Sequence, residues 1–454
     1  MMQPAAGPLR AILWGWALLA VLSLAFAGLA LIVPVLSKMP FLEGAAAWPE
    51  QFFQKGLVAH VVLSFVVWYL AVLGFMAQLT PDTSGASENL PLDALGLALA
   101  AIGTVLILVP SVTQRGEPTL NNYIPAIIDP LFYTGLGCLA GGVLIPVTGM
   151  LAKLFRKAAG AADDGMALVS AGLIYIAALA AFVLAYIQLS SIQTGGAGVD
   201  FAYNETLFWG GGHILQFLNV ALLILALNLL SRSGLGETLT APVFLNTAMA
   251  VLFLGAAAGL AFYGAFPAGG DSHTIAFTNL QYLMVVPALA VAAGALKARG
   301  QWAGADYSRP DILALVLAVA VFAVGGALGF FVDGADTRTP AHYHGVIGGI
   351  NLAFYGLFYS WFLPALGRAC HYPRLVRGQL ILYAIGQILF IGGLFMAGSM
   401  GAARKSMGAG LEMDNLAAVA AIGLRDLGLA MAIIATAAFV ILMLIALFRD
   451  PVLE

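Results

Sequence analysis

The sequence of 454 residues is 61% hydrophobic and only 9% charged, whereas a soluble domain carries roughly 25% charged residues. This composition excludes an ordinary soluble protein and indicates a chain whose surface lies mostly in lipid. The formal net charge of -3 gives no basis for a nucleic-acid partner, and the two cysteines, Cys138 and Cys370, are too few for a disulfide framework.

Twelve apolar runs follow one another along the chain, and each is long enough to cross a bilayer of about 30 Å. Backbone groups in lipid must be hydrogen-bonded within their own segment, so we predict an all-α bundle of twelve transmembrane helices. No long linker interrupts them, so we expect one membrane domain over residues 1–454. The first run is too long for a signal peptide, and we expect an uncleaved helix. The runs cover residues 11–37, 56–79, 93–113, 128–152, 165–190, 207–231, 243–266, 273–297, 311–333, 341–366, 377–399 and 424–448.

The connecting segments carry basic residues unevenly. If the N-terminus is cytoplasmic, twelve of the 19 Lys and Arg residues fall on the inner side and seven on the outer side. An excess of Lys and Arg marks cytoplasmic loops. We therefore expect both termini to be cytoplasmic.

Five of the six histidines fall near the outer ends of helices that are far apart in sequence. Ionisable residues within a membrane are costly and usually functional, and neutral imidazole is the commonest metal ligand. The sixth histidine, His371, falls in a loop on the opposite side, where we expect it to be solvated. The five are His60, His213, His273, His342 and His344.

The pair His342 and His344 is the most informative feature of the sequence. Residues two apart on a helix are rotated by about 200°, so their rings point in nearly opposite directions. The pair is therefore suited to two separate planar cofactors on either side of the helix. His60 can supply the second axial ligand of one haem, which becomes six-coordinate, while the other haem keeps an open position facing His213.

This pattern resembles the catalytic subunit I of the haem-copper oxidase and nitric oxide reductase superfamily. Residues 342–349 (HYHGVIGG) are similar to its helix 10, and residues 361–364 (WFLP) with 367–368 (GR) are similar to the motif that ends that helix. The resemblance implies two haems, expected to be of the b type, one non-haem iron or copper, and the inner membrane of a bacterium. By this resemblance the low-spin haem takes His60 and His344, the high-spin haem takes His342, the second metal takes His213, and the haem propionates pair with Arg404 and Lys405.

Two positions depart from the family pattern. The family places a His-His pair near the outer end of helix 7, but residues 262–266 (FYGAF) contain no histidine. We therefore expect a second-metal site made of His213, His273 and Asp271, a mixed donor set that suits iron as well as copper. Many oxygen reductases of the superfamily carry a tyrosine four residues after the helix-6 histidine, where this chain has Phe217, and Tyr263 is a candidate substitute.

The function that these features favour is reduction of nitric oxide to nitrous oxide, which needs no tyrosyl radical. Apart from Lys297 at its inner end, helix 8 has no lysine for an inner proton route, so Glu205 and Asp271 are candidates for proton delivery from outside. The alternative is a terminal oxygen reductase that takes electrons from cytochrome c and possesses copper, with or without proton pumping. The remaining hypotheses are a haem subunit that transfers electrons or senses a gas, and a secondary transporter. Without a haem c motif or a Cys-rich copper site, the chain is expected to need a donor subunit carrying cytochrome c or a cupredoxin domain.

Overall fold

The computed structural model describes residues 5, 7–36, 50–79, 89–156, 163–192, 198–297, 299–302, 304–332, 334, 336–404 and 415–449. Within these residues, twelve helices are long and apolar enough to cross a membrane. The predicted fold class and number of spans are confirmed, and the protein is a multi-pass membrane protein. The helices are α1 (Gly7–Ile32), α2 (Phe52–Gln78), α3 (Leu90–Val112), α4 (Pro130–Arg156), α5 (Gly165–Ser191), α6 (Phe201–Leu235), α7 (Pro242–Ala265), α8 (Asp271–Lys297), α9 (Pro310–Phe331), α10 (Arg338–Ala365), α11 (Pro373–Ser399) and α12 (Leu416–Phe448).

Most helices begin earlier than the hydropathy pattern predicts, and the two with the largest differences, α6 and α12, each have a side-chain cap. The Asp200 carboxylate accepts a hydrogen bond of 2.7 Å from the Tyr203 amide, so α6 begins at Phe201 and Glu205 lies in its second turn. Asn415 caps α12 in the same way through the Ala418 amide, at 2.9 Å. Such caps satisfy amide groups that have no partner within the helix.

A short hairpin connects α3 to α4. Its strands, β1 (Glu117–Thr119) and β2 (Ala126–Ile128), are antiparallel, with Pro118 opposite Ile127. Because successive spans alternate in direction, this hairpin lies on the side of the bundle where the even-numbered helices begin. We call it the histidine side, since His60, His273, His342 and His344 all lie in the first turns of even-numbered helices there.

The helices approach one another closely where glycines face a neighbour. A Cβ atom on Gly325 in α9 would lie 2.4 Å from the Gly345 carbonyl carbon in α10. Between α11 and α12, a Cβ atom on Gly393 would lie 2.3 Å from the Arg425 amide nitrogen and 2.6 Å from the Ala421 carbonyl oxygen. Small residues at such crossings permit the backbone contact that holds helices together in lipid.

Substitution of Gly393 by valine is expected to destabilise the bundle, because the added carbons would overlap backbone atoms that cannot turn aside. Overpacking of this kind costs about 1–3 kcal/mol, and backbone contacts are at the upper end. Gly392 is the matched control, since a Cβ atom there would meet nothing within 4 Å. The measurement is the thermal unfolding midpoint in detergent. Equal midpoints for Gly393→Val and Gly392→Val would contradict the close α11–α12 contact.

Candidate functional site

A large cavity runs through the interior of the bundle, with lining residues on the histidine side and on the opposite side. Its volume is about 2290 Å³, more than twice the upper limit of the roughly 300–1,000 Å³ usual for ligand pockets. Residues from α1, α2, α6 and α8 to α12 line it, and they include three of the six histidines, His60, His342 and His344. The cavity therefore offers room for more than one large planar cofactor.

The two histidines of the H-x-H motif face different neighbours, as the helical rotation predicts. The His342 Nδ1 atom lies 2.8 Å from the Gly325 carbonyl oxygen on α9. The His344 ring instead packs edge-on against Phe390 on α11, with ring centroids 4.9 Å apart. The two rings are thus directed to opposite sides of α10, and a single metal between them is excluded by this geometry.

His60 lies on α2 and shares the cavity with His344. Its Nδ1 atom is 3.1 Å from the Ala27 carbonyl oxygen on α1. The His60 and His344 rings are close enough to interact electrostatically. A π-helical turn, Val62–Val67, begins two residues after His60, and such turns are frequent at functional sites in helices.

The chemistry of these histidines fits haem. Because a carbonyl oxygen only accepts, the Nδ1 atoms of His60 and His342 carry the ring protons, and each Nε2 is left as the unprotonated nitrogen. This is the arrangement of a metal-ligating imidazole, whose other nitrogen donates to a backbone carbonyl. Neither ring nitrogen of His344 is paired with another described residue, so it too is available as an axial ligand.

His213 lies deep in the bundle and is hydrogen-bonded to Tyr123, a residue that the sequence pattern did not single out. Its Nδ1 donates to the Trp209 carbonyl oxygen at 2.7 Å, which leaves Nε2 as the acceptor. The Tyr123 hydroxyl donates to this Nε2 at 2.8 Å and accepts from Gln281 Nε2 at 3.0 Å. Burial raises the pKa of the Tyr123 phenol, so the phenol stays protonated at neutral pH and acts as a donor.

The loop between β1 and β2 is built to bring Tyr123 to His213. Tyr123 has a φ of 65° and is the only non-glycine residue with positive φ among those described, a conformation that costs of order 1–3 kcal/mol. Gly212, next to His213, makes room for it, because a Cβ atom there would lie 2.4 Å from the Tyr123 Cβ. Tyr123 and Gln281 both line the large cavity.

Glu205 and Arg404 hold this loop from two sides. The Glu205 carboxylate accepts from the Asn122 amide at 2.9 Å, from the Asn122 side chain at 2.5 Å and from Asn121 at 3.2 Å. Arg404 donates to the Asn122 side-chain oxygen and also lines the cavity. The propionate role expected of Arg404 stays a prediction, and Lys405 lies outside the described residues. The observed contacts of Glu205 are those of a loop anchor.

The expected second-metal set of His213, His273 and Asp271 is not brought together. Among the described residues, no group of three His, Cys, Asp or Glu side chains is placed to hold a metal ion. His273 is fully buried, whereas Asp271 is exposed at the start of α8. The reason is the same 200° rotation that separates His342 from His344, since Asp271 and His273 are also two residues apart on a helix.

His273 and Tyr263 form a separate buried pair beside this region. Their ring centroids are 4.8 Å apart, and neither the His273 nitrogens nor the Tyr263 hydroxyl is hydrogen-bonded to a described residue. The Tyr263 hydroxyl lies against Gly210, where a Cβ atom would be 2.2 Å from it. Phe217, at the position of the absent tyrosine, is buried against Gly255 of α7. The hydroxyl that reaches His213 therefore comes from Tyr123 and not from α6 or α7.

Comparisons with known proteins agree with this architecture. The family model described as cytochrome c and quinol oxidase polypeptide I matches residues 11–424. A protein of Aquifex aeolicus is 28% identical over 78% of this chain and 84% of its own length. A protein of Rickettsia prowazekii is 23% identical over 91% of this chain and 92% of its own. Both are described only as uncharacterised.

The fold also matches a solved structure. A haem-copper terminal oxidase dimer, determined by cryo-electron microscopy, superposes with a TM-score of 0.79 over 99% of this chain and 86% of that one. The two sequences are 16% identical. At this identity the likeness establishes the fold alone, and the assignment of individual residues depends on the geometry described above.

Proposed function

We propose that this chain, which belongs to the family of cytochrome c and quinol oxidase polypeptide I, is the catalytic subunit of a terminal reductase that converts nitric oxide to nitrous oxide. Membership of the family implies an oxidoreductase with haems and a metal centre. The observation that carries the proposal is the cavity shared by His60, His344 and His342, with the last two directed to opposite sides of α10.

The histidines divide the work between two haem positions. His60 and His344 would hold one haem from both faces, which suits electron transfer because no position stays open for a substrate. His342 would hold the other from one face, and a haem so held supplies an open position for a diatomic gas. The backbone carbonyls of Ala27 and Gly325 fix the tautomers of His60 and His342 and orient their rings.

The chain's own residues support a two-electron reaction. Reduction of a pair of nitric oxide molecules takes up two electrons and two protons and releases nitrous oxide and water. The Tyr123 hydroxyl, protonated and directed at His213, can donate a hydrogen bond or a proton at this site. Phe217 has no hydroxyl at the position where many oxygen reductases of the superfamily carry a tyrosine, which favours the two-electron reaction because that reaction needs no tyrosyl radical.

Oxygen reduction is a second candidate because of one specific contact. A phenol held 2.8 Å from His213 resembles the tyrosine that oxygen reductases of the superfamily use as a source of an electron and a proton. Tyr123 would then replace the helix-6 tyrosine whose place is taken by Phe217. Tyr263 is less suited than Tyr123 to this role, because the Tyr263 ring contacts His273.

Paired gas-consumption assays on the purified, reduced complex separate the two reactions. We expect rapid anaerobic loss of nitric oxide, with one nitrous oxide formed for each two molecules consumed, and little oxygen uptake. Fast oxygen uptake with slow nitric oxide turnover would identify an oxidase instead. If neither gas is consumed by protein that contains both haems, the proposal is wrong and an electron-transfer or gas-sensing role takes its place.

The membrane, the orientation and the electron donor of the subunit are also part of what we propose. We place it in a bacterial inner membrane with both termini cytoplasmic, so that the histidine side faces outward. Electrons would arrive on that side from a partner subunit with a cytochrome c or cupredoxin domain, near Arg404, which lines the cavity. Co-purification of a haem c or copper-containing subunit with this chain tests the donor assignment.

A further inference from the structure

The hydrogen bonds around His213 form a continuous linear chain, in which each group donates to the next. Gln281 donates to the Tyr123 oxygen, the Tyr123 hydroxyl donates to His213 Nε2, and His213 Nδ1 donates to the Trp209 carbonyl. Every strong donor and acceptor of the imidazole is thereby satisfied within the protein. A metal could bind Nε2 only after the Tyr123 hydroxyl was displaced from it.

The fold maintains Tyr123 in this place at a cost. Its positive φ is unfavourable for a bulky residue, and its ring is admitted only because residue 212 has no side chain. Asn122, the preceding residue, is fixed by Glu205 and Arg404. A strained residue held by several independent contacts points to a function for its side chain.

Among the described residues, a set of three metal ligands does not assemble around His213. Asp271 is exposed, and the His273 ring contacts Tyr263 and Phe277. His213 and His273 both lie against Phe277, with ring centroids 5.4 and 4.9 Å from it. The two nitrogens of His273 have no hydrogen-bond partner among the described residues, and a stable transition-metal site needs three or more protein ligands.

From these contacts we infer that the Tyr123 phenol, hydrogen-bonded to His213, takes the position expected for a non-haem metal beside that histidine, and that the described residues of this chain supply no three-ligand metal centre. A haem held by His342 would then share the cavity with the Tyr123 phenol, which also lines it. The inference rests on the haem positions of the proposed function, but not on which gas is reduced.

Metal content of the intact complex tests the inference directly. The complex is produced in medium with added iron and copper, exposed anaerobically to Fe²⁺ and to Cu⁺ in separate samples, desalted and analysed for metals and for haem. We expect all metal assigned to this chain to be haem iron, after subtraction of the haem and copper of any donor subunit. One additional iron or copper per chain that survives desalting, and that is lost in His213→Ala, would overturn the inference.

Electron paramagnetic resonance and infrared spectra give readouts that do not depend on turnover. The oxidised high-spin haem is expected to show a full, uncoupled signal, whereas a neighbouring paramagnetic metal would suppress it. In the reduced protein exposed to carbon monoxide, Tyr123→Phe is expected to shift the C–O stretch through loss of a nearby hydroxyl donor. Tyr186→Phe, a change at an exposed tyrosine on α5, is the control and should leave the stretch unmoved.

Gly212→Ala provides an independent variant if Tyr123→Phe assembles poorly, since its Cβ would push Tyr123 away from His213. It should shift the C–O stretch in the same direction as Tyr123→Phe. An unshifted stretch in both variants would overturn the placement of the phenol at the haem face. Absence of gas turnover with no additional metal would contradict the proposed function and leave the inference standing, so the two failures are distinguishable.

Discussion

Replacement of both His60 and His344 by alanine is expected to halve the haem content of the chain, from two haems to one. The two imidazoles approach the cavity from α2 and α10, and no other histidine among the described residues lines it near them except His342, which is directed towards α9. Each single variant should abolish the six-coordinate, low-spin spectrum, because one axial ligand cannot maintain that state. The measurements are pyridine haemochrome content and optical spectra of the reduced protein.

His371→Ala is the control for this experiment. His371 is exposed in the loop between α10 and α11, at the end of the bundle opposite the histidine side, and its loss should leave both haems and their spectra unchanged. A double variant that keeps two haems per chain would show that His60 and His344 do not form one site. Loss of both haems with normal yield would point to a shared site for all three cavity histidines.

The bundle and the divergent directions of His342 and His344 could be read from the sequence because both depend on local periodicity. Twelve apolar runs specify twelve helices when lipid leaves no other way to satisfy the backbone. The spacing of His342 and His344 specifies opposite directions through the helical rotation alone, and the structure has these directions. The early start of α6 was missed because its first turns are polar, although Asp200 three residues before Tyr203 is a typical capping signal.

The surroundings of His213 could not be predicted because they depend on contacts distant in sequence. Tyr123 is 90 residues from His213, and Gln281 is 158 residues from Tyr123. Only the signal Asn121-Asn122-Tyr123, a polar cluster in a loop between spans, was present in the sequence. Asp271 was assigned to the metal site from its proximity to His273 along the chain, although their spacing already predicted divergent side chains.

Substitution of His342 by alanine is expected to abolish gas reduction and gas binding while leaving the low-spin haem intact. His342 is the only cavity histidine among the described residues whose Nδ1 is held by α9, and its Nε2 is the unprotonated nitrogen available to the second haem. The variant should keep the six-coordinate spectrum due to His60 and His344, lose one haem, and show no spectral change with carbon monoxide. Added imidazole should restore part of the haem binding by filling the space left by the ring.

Gly329→Ala tests the orientation of the same ring without removing it. A Cβ atom on Gly329 would lie 2.7 Å from both Cε1 and Nδ1 of His342, so the ring must turn and its hydrogen bond to Gly325 must weaken. Loss of such an orienting contact typically costs 10–100-fold in metal affinity or activity, so we expect about a 10–100-fold fall in gas reduction.

If His342→Ala kept full gas binding and His344→Ala lost it, the open haem position would belong to the α11 side of α10. The site of reduction would then have to be sought near Phe390 and not near Tyr123.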